Sequence, residues 1–240
     1  MLFGNERSPW NRDIDRSAPK WLVKTLSERT GNTYWQVFHT TLTTYRARLY
    51  PKRKASGVLR WVLPIRSHGM AREGFGQQVC PACLANDAIP YFRKSWRLAL
   101  FAFCPIHREY LVDACPGCGE PIEHYRGDFG RELTDALPMH VCPRCRYDWR
   151  DAPRVAVEIP DPEVEENLCA AMNSLSMPVS ECGRFDIGYF AVLRHLCGVM
   201  STGPNQGRLG TYVSNALGLP QLPLPGRRVH FEEIRVIPRL

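Results

Sequence analysis

The chain has 240 residues, of which 44% are hydrophobic and 23% are charged, a composition typical of a folded globular protein. It lacks a run of about eighteen apolar residues, and its first ten residues lack the pattern of a secretory signal. We therefore expect a cytoplasmic protein without a membrane span. The formal net charge of +7 is compatible with contact to nucleic acid and equally with a basic surface that binds none.

The first predicted part, residues 1–69, contains two helices joined by a glycine turn. The first helix begins near Pro19, which suits a first turn, and ends at Gly31, which adopts the left-handed conformation without steric cost. Asn32 or Thr33 caps the second helix. Its apolar stripe is Tyr34, Val37, Phe38, Thr41, Leu42, Tyr45 and Leu49. The pattern is helix-turn-helix-like, an arrangement that reads DNA in some proteins and is plain architecture in others.

Four pairs of residues with the spacing of metal ligands lie in the second predicted part, residues 70–150. CxxC or CxxH places two donors on one tight turn, and zinc prefers two such turns around one tetrahedral shell. Because no secretory signal accompanies the cysteines, the spacing favours metal over disulfides. We predict two structural zinc ions, bound by Cys80, Cys83, Cys104, His107, Cys115, Cys118, Cys142 and Cys145.

The grouping of these pairs follows from the loops between them. Residues 108–114 separate the second pair from the third, which is longer than the spacing usual in cross-braced sites. We therefore favour sequential grouping, with the cross-braced arrangement as the alternative. Each site then has four protein ligands and no open position for catalysis. Together with the absence of a P-loop, GxSxG or HExxH motif, this predicts a binding protein rather than an enzyme.

Several other side chains have plausible roles. The segment 89–97 interleaves aromatic and basic residues, a pattern that suits stacking on bases or a finger core. We assign Phe92 and Trp96 to the core and expect Arg93, Lys94 and Arg97 to contact phosphates or a partner protein. We expect local salt bridges around Asp13 and Asp15, since arginines flank them. Two histidines, His124 and His140, are expected at the surface or in packing, and three cysteines, Cys169, Cys182 and Cys197, are expected as buried thiols.

The third predicted part, residues 151–240, is helical. We predict helices over residues 163–175, 186–200 and 209–217. The core-facing stripe of the second is Tyr189, Val192, Leu193, Leu196 and Met200. The fold class is therefore mainly α, with small zinc-stabilised finger modules between two helical parts.

Several runs of the sequence resemble the TniQ family of transposition proteins. They are WNRDIDRSAP (residues 10–19), the TG at residues 30–31, FGQQVCPACL (75–84), YFRKSWRLALFAFCPIH (91–107), CPGCG (115–119) and GYFAVLRHL (188–196). The resemblance implies that the family's zinc ligands fall on the eight positions above, and it implies no catalytic residue. Family members usually begin with further helices and continue beyond the point where this chain stops, so the resemblance implies a compact or shortened member.

The resemblance also implies partners. Members of this family mark a target site and recruit a AAA+ transposition ATPase, and in CRISPR-associated transposons they couple an RNA-guided effector complex to it. Relatives bind target DNA themselves. We therefore expect a target-selection adaptor; the alternative is a zinc-dependent, sequence-specific DNA-binding regulator that reads DNA with residues 18–50. The oligomeric state stays open, a homodimer included.

Overall fold

A computed structural model describes residues 13–52, 58–65, 75–124 and 137–202, together with residues 208, 211–212 and 215–216. This part of the chain is helix-rich and contains two cysteine and histidine clusters. Its elements, in chain order, are α1 (Lys20–Thr30), α2 (Tyr34–His39), α3 (Pro81–Asn86), β1 (Phe103–Cys104), β2 (Glu109–Tyr110), α4 (Pro162–Ser174) and α5 (Ile187–Thr202). Among the described residues, none of the helices combines the length and the apolar character needed to cross a membrane.

Helices α1 and α2 form a pair around the predicted glycine turn. Gly31 ends α1 with a φ of 69°, and Thr33 begins α2 with a capping box that it shares with Gln36. Ala18, Val23 and Val37 form a small apolar cluster between the two helices. A DNA-reading role for this pair stays a prediction.

The predicted length of the second helix is wrong, because α2 ends at His39 instead of continuing to Leu49. The hydroxyls of Thr40 and Thr41 donate to the carbonyls of the residues three positions earlier, each at 2.8 Å. Such side-chain bonds compete with the backbone bonds of a continuing helix. The chain turns instead into a 3-10 segment, Leu42–Tyr45.

The middle of the chain is built on short elements. Strands β1 and β2 pair antiparallel, with Phe103 opposite Tyr110. Val79 and Val112 exchange two backbone hydrogen bonds of 2.9 and 2.8 Å, which fix the segment before α3 against the segment after β2. The 3-10 segments Lys94–Arg97 and Trp149–Asp151 each bury a tryptophan.

One hydrophobic core runs through all three predicted parts of the chain, from Leu42 to Phe190. Its largest side chains, Trp61, Trp96 and Trp149, are at most 2% exposed. The predicted domain boundaries near residues 70 and 150 stay predictions, but the described core crosses both of them.

Two buried side chains attach the C-terminal helices to the N-terminal part. Arg48 donates to the carbonyl of Ser174, the last residue of α4, and to the carbonyl of Met177, three residues further along. The indole of Trp61 donates to the carbonyl of Phe190 in α5 at 3.0 Å. These bonds satisfy buried polar groups, so α4 and α5 belong to the same packed unit as residues 42–52 and 58–62.

Helices α4 and α5 lie within two residues of their predicted bounds, but the predicted core face of α5 is partly wrong. Tyr189 and Leu193 pack against the core, whereas Val192 and Leu196 are 62% and 54% exposed. Phe190, which was not predicted, is fully buried. The Met200 side chain and most of residues 209–217 lie outside the described part of the chain; residues 208, 211–212 and 215–216 are helical.

Candidate metal centres

The first cluster brings together Cys80, Cys83, Cys104 and His107. The His107 Nδ1 atom lies 3.5, 3.3 and 3.6 Å from the sulfurs of Cys80, Cys83 and Cys104, and the last two sulfurs are 3.6 Å apart. A tetrahedral shell with bonds of about 2.3 Å has edges of about 3.8 Å. The four donors therefore have the spacing of a metal shell.

The local backbone explains how this cluster forms. Cys80 is the residue that caps α3, where its sulfur accepts the N–H of Cys83 at 3.4 Å, and Pro81 fills the first helical position. Cys104 ends β1, and His107 lies in the turn between β1 and β2. The three cysteines of this cluster are at most 2% exposed and belong to the main core.

Hydrogen bonds within the cluster favour one thiolate. The bond with Cys104 raises the pKa of Cys80 to about 11. Bonds from Cys80 and Cys83 hold the pKa of Cys104 well below its ordinary value. Since the thiolate is the form that binds metal, the lowered pKa of Cys104 favours a cation at this cluster.

The second cluster consists of Cys115, Cys118, Cys142 and Cys145. The sulfurs of Cys115 and Cys145 are 3.5 Å apart, and those of Cys118 and Cys142 are 3.9 Å apart. Cys115 and Cys142 are buried, whereas Cys145 is exposed. The structure thus groups the four pairs sequentially, and it places the second cluster at the edge of the core.

Three of the four ligand turns share one backbone geometry. The residue after the second donor has a left-handed φ in each: 55° at Arg108, 72° at Gly119 and 67° at Arg146. Its N–H bonds to the carbonyl of the first cysteine, at 2.8, 2.8 and 3.0 Å. The remaining pair, at Cys80 and Cys83, uses the first turn of α3 instead. The sequence signals this conformation only at Gly119.

Glycine at position 146 is expected to be tolerated better than at an ordinary surface position. Left-handed backbone costs a non-glycine residue about 1–2 kcal/mol, which exceeds the entropy that glycine loses on folding. We expect Arg146→Gly to leave the free energy of unfolding unchanged or raise it by up to about 1 kcal/mol. Denaturant unfolding at fixed metal concentration measures this. Exposed Arg154, whose φ is not left-handed, provides the control, and the expectation is wrong if Arg146→Gly destabilises more than Arg154→Gly.

The comparison with known families decides the identity of the first part. The TniQ family model matches residues 1–111. Residues 1–111 carry a TniQ domain. The predicted resemblance is confirmed, and a TniQ domain implies a role related to target selection in transposition. No curated protein and no solved structure matches the chain.

The matched TniQ range contains the whole first cluster, and the second cluster follows it. Residues beyond the match nevertheless share the TniQ domain's core, since Ile122, Trp149 and Phe190 are buried members of it. Both clusters can hold a metal ion. In this structure, therefore, the first candidate metal centre is an integral part of the TniQ domain core.

The basic residues expected to contact a partner have internal contacts in the TniQ domain. Arg93 makes two bonds of 2.9 Å to Asp87, and its guanidinium lies 4.5 Å from the ring centre of Tyr91. The ammonium of Lys94 donates to the His39 carbonyl at 2.7 Å, which ties the 3-10 segment Lys94–Arg97 to the end of α2. Partner contact by these two residues stays a prediction.

Arg97 is buried in the TniQ domain, with a side chain that is only 4% exposed. Its guanidinium pairs with both carboxylate oxygens of Asp13, at 2.5 and 3.3 Å, and donates to the Leu63 carbonyl at 3.0 Å. Partner contact by Arg97 stays a prediction, and these bonds favour an internal role. The pairing of Asp13 with a residue 84 positions away was not predicted from the sequence.

The remaining candidates lie outside both clusters. His140 bonds through Nδ1 to Asp148 at 3.2 Å, and His124 stacks on Phe92 with ring centres 3.9 Å apart. Burial lowers the pKa of His124 to about 4, so it is neutral near pH 7. The three other cysteines are half-buried rather than buried as predicted: Cys169, Cys182 and Cys197.

Proposed function

We propose that this TniQ protein is a zinc-dependent target-selection adaptor for transposition. It links a target-bound complex, either DNA or an RNA-guided CRISPR effector, to a AAA+ transposition ATPase. The observation that carries the proposal is the first cluster: four metal donors lie inside the core of a TniQ domain. The cytoplasm is the compartment we expect for it.

Zinc is the metal that the donors favour. Three thiolates with one imidazole, and four thiolates, are the ligand sets of structural zinc sites, and hard cations such as magnesium prefer oxygen. With four protein donors, each shell is complete without water. Zinc bound there would stabilise the fold and shape surfaces for partners, so we propose a binding role and no catalysis.

The contacts around the first cluster support a scaffolding role. The finger that contains it reaches α2 through Lys94, and the core that encloses it reaches α5 through the bond from Trp61. A metal at this position would therefore stabilise the relative placement of the N-terminal and C-terminal helices. An adaptor needs such fixed placement, because its two partners must be held at a defined separation.

Binding to the transposition ATPase tests the adaptor proposal. The full chain, with its metal content measured, is used to capture the purified ATPase with and without target-bound complex. We expect two equivalents of zinc per chain and association that persists as salt rises. Failure of the zinc-loaded chain to bind any transposition component would overturn the proposal.

The same experiment distinguishes the DNA-binding regulator. Affinity that rests on phosphate contacts falls steeply with ionic strength, because neutralising phosphates releases counterions. Tight, sequence-specific binding of the isolated chain to duplex DNA, with a steep salt dependence, would favour the regulator. Salt-tolerant capture of the ATPase without such DNA binding would favour the adaptor.

A further inference from the structure

The segment that begins α3 carries three polar residues near the first cluster. Cys80 caps the helix, Cys83 lies in its first turn, and Asn86 follows Cys83 by three residues, a spacing that places these last two side chains on adjacent turns of the same side. The amide nitrogen Nδ2 of Asn86 lies 3.2 Å from Nε2 of His107. The segment that supplies two donors thus also contacts a third donor, His107, at the ring nitrogen that faces away from the sulfurs.

The chemistry of His107 decides what this contact must be. Its Nδ1 atom faces the three sulfurs, so Nδ1 is the metal donor. An imidazole that binds metal through Nδ1 carries its proton on Nε2, and that N–H needs an acceptor. The amide nitrogen of Asn86 has no free lone pair, but a half-turn about the Cβ–Cγ bond puts Oδ1 in its place.

We propose that Asn86 is a positioning residue for the first metal centre, where its Oδ1 accepts the hydrogen bond from Nε2–H of His107. The proposal rests on the metal binding proposed above. Such an outer contact fixes the proton on Nε2, orients the ring and strengthens the donor. This outer contact matters most at His107. The three cysteines are enclosed by the core, whereas His107 is half-buried, so packing constrains its ring less than it constrains the cysteine side chains.

Two substitutions distinguish the effect of a hydrogen-bond acceptor at position 86 from the effect of side-chain shape. Asn86→Asp keeps an acceptor at the same place, whereas Asn86→Leu keeps a similar shape without one. We expect Asn86→Leu to weaken zinc binding at the first cluster by about 10-fold, the low end for outer contacts because Asn86 is exposed. Asn86→Asp should bind at least as tightly as the wild-type chain. Competition with a chelator on the full chain measures both affinities.

Two controls isolate the effect. The second cluster, in the same molecule, should keep its zinc affinity in every variant. Ala85→Asp places a negative charge on the neighbouring exposed position of α3 and should not change the affinity of the first cluster. If Ala85→Asp strengthens binding as much as Asn86→Asp, a general charge effect replaces the proposed hydrogen bond.

The proton on His107 gives a second readout. In long-range proton–nitrogen NMR spectra of the zinc-loaded chain we expect Nε2 to be protonated, with exchange of that proton faster in Asn86→Leu and unchanged in Asn86→Asp. The proposal is overturned if Asn86→Leu binds zinc like wild type, or if Asn86→Asp loses as much affinity as Asn86→Leu. If the wild-type chain binds two zinc ions in either case, the metal proposal stands and only the role of Asn86 is overturned. A wild-type chain that binds no zinc overturns both proposals.

Discussion

Cys83→Ser is expected to unfold the core that the TniQ domain shares with the C-terminal helices. Cys83 is 1% exposed and lies among the apolar side chains of that core. A serine hydroxyl replaces the thiolate poorly as a zinc ligand, and zinc contributes about 10–16 kcal/mol to the folding of small fingers. This exceeds or equals the net stability of most domains, about 5–15 kcal/mol. Circular dichroism and metal counting on the purified variant measure the effect.

Replacing a donor at the edge of the core should cost less. Cys145 is exposed, so Cys145→Ser should lose the second metal and loosen residues 137–148 while the rest of the main core stays folded. Cys182→Ser provides the matched control, because Cys182 donates to the Val179 carbonyl at 3.0 Å and a serine hydroxyl can do the same. Cooperative unfolding of Cys83→Ser at the wild-type denaturant concentration, with two metals retained, would contradict this view.

The second large effect is expected at Asp13. Asp13→Ala leaves the guanidinium of Arg97 in the core without its carboxylate, and removing one member of a buried pair costs about 3–5 kcal/mol. Replacing both residues, as Asp13→Leu with Arg97→Met, should lower the free energy of unfolding much less, because neither position then carries a buried charge. Urea unfolding of the single and double variants measures the difference.

Asp87→Ala is the matched control for this prediction. Asp87 and Arg93 also form a two-bond ion pair, but each side chain is 20% exposed, so water can solvate the remaining partner. Loss of such a pair costs about 1 kcal/mol or less. If Asp13→Ala costs no more than Asp87→Ala, the pair with Arg97 is not important for folding. If it costs several times more, the run at residues 10–19 serves the fold of the TniQ domain.

The metal-donor pairs were predictable because their information is local. A spacing of two residues between donors is visible in the sequence, and the length of the segment 108–114 was enough to favour the grouping seen in the structure. The ends of α1 and α2 nearest the turn were predictable for the same reason, since Gly31 and Thr33 act within a few residues. Local chemistry therefore predicted the site better than the surrounding fold.

The features that were missed depend on distant or competing contacts. The pair of Asp13 with Arg97, and the bonds from Arg48 to α4, join residues far apart in sequence without a local signal. The end of α2 depends on threonine hydroxyls that compete with the helix. The buried face of α5 was ambiguous because the helix is apolar on most sides, so periodicity alone could not distinguish Phe190 from Val192.

The bonds from Arg48 and Trp61 to the C-terminal helices have a practical consequence for anyone who wishes to express fragments. A fragment cut at residue 111, where the family match ends, would retain Trp61 and Arg48 and lose the helices that cover them. The indole of Trp61 would then lose its cover from α5 and face solvent, and exposed apolar surface promotes aggregation. The matched range shows where the sequence similarity to the family is recognised. We expect a recombinant fragment to stay monodisperse only if it also contains α4 and α5.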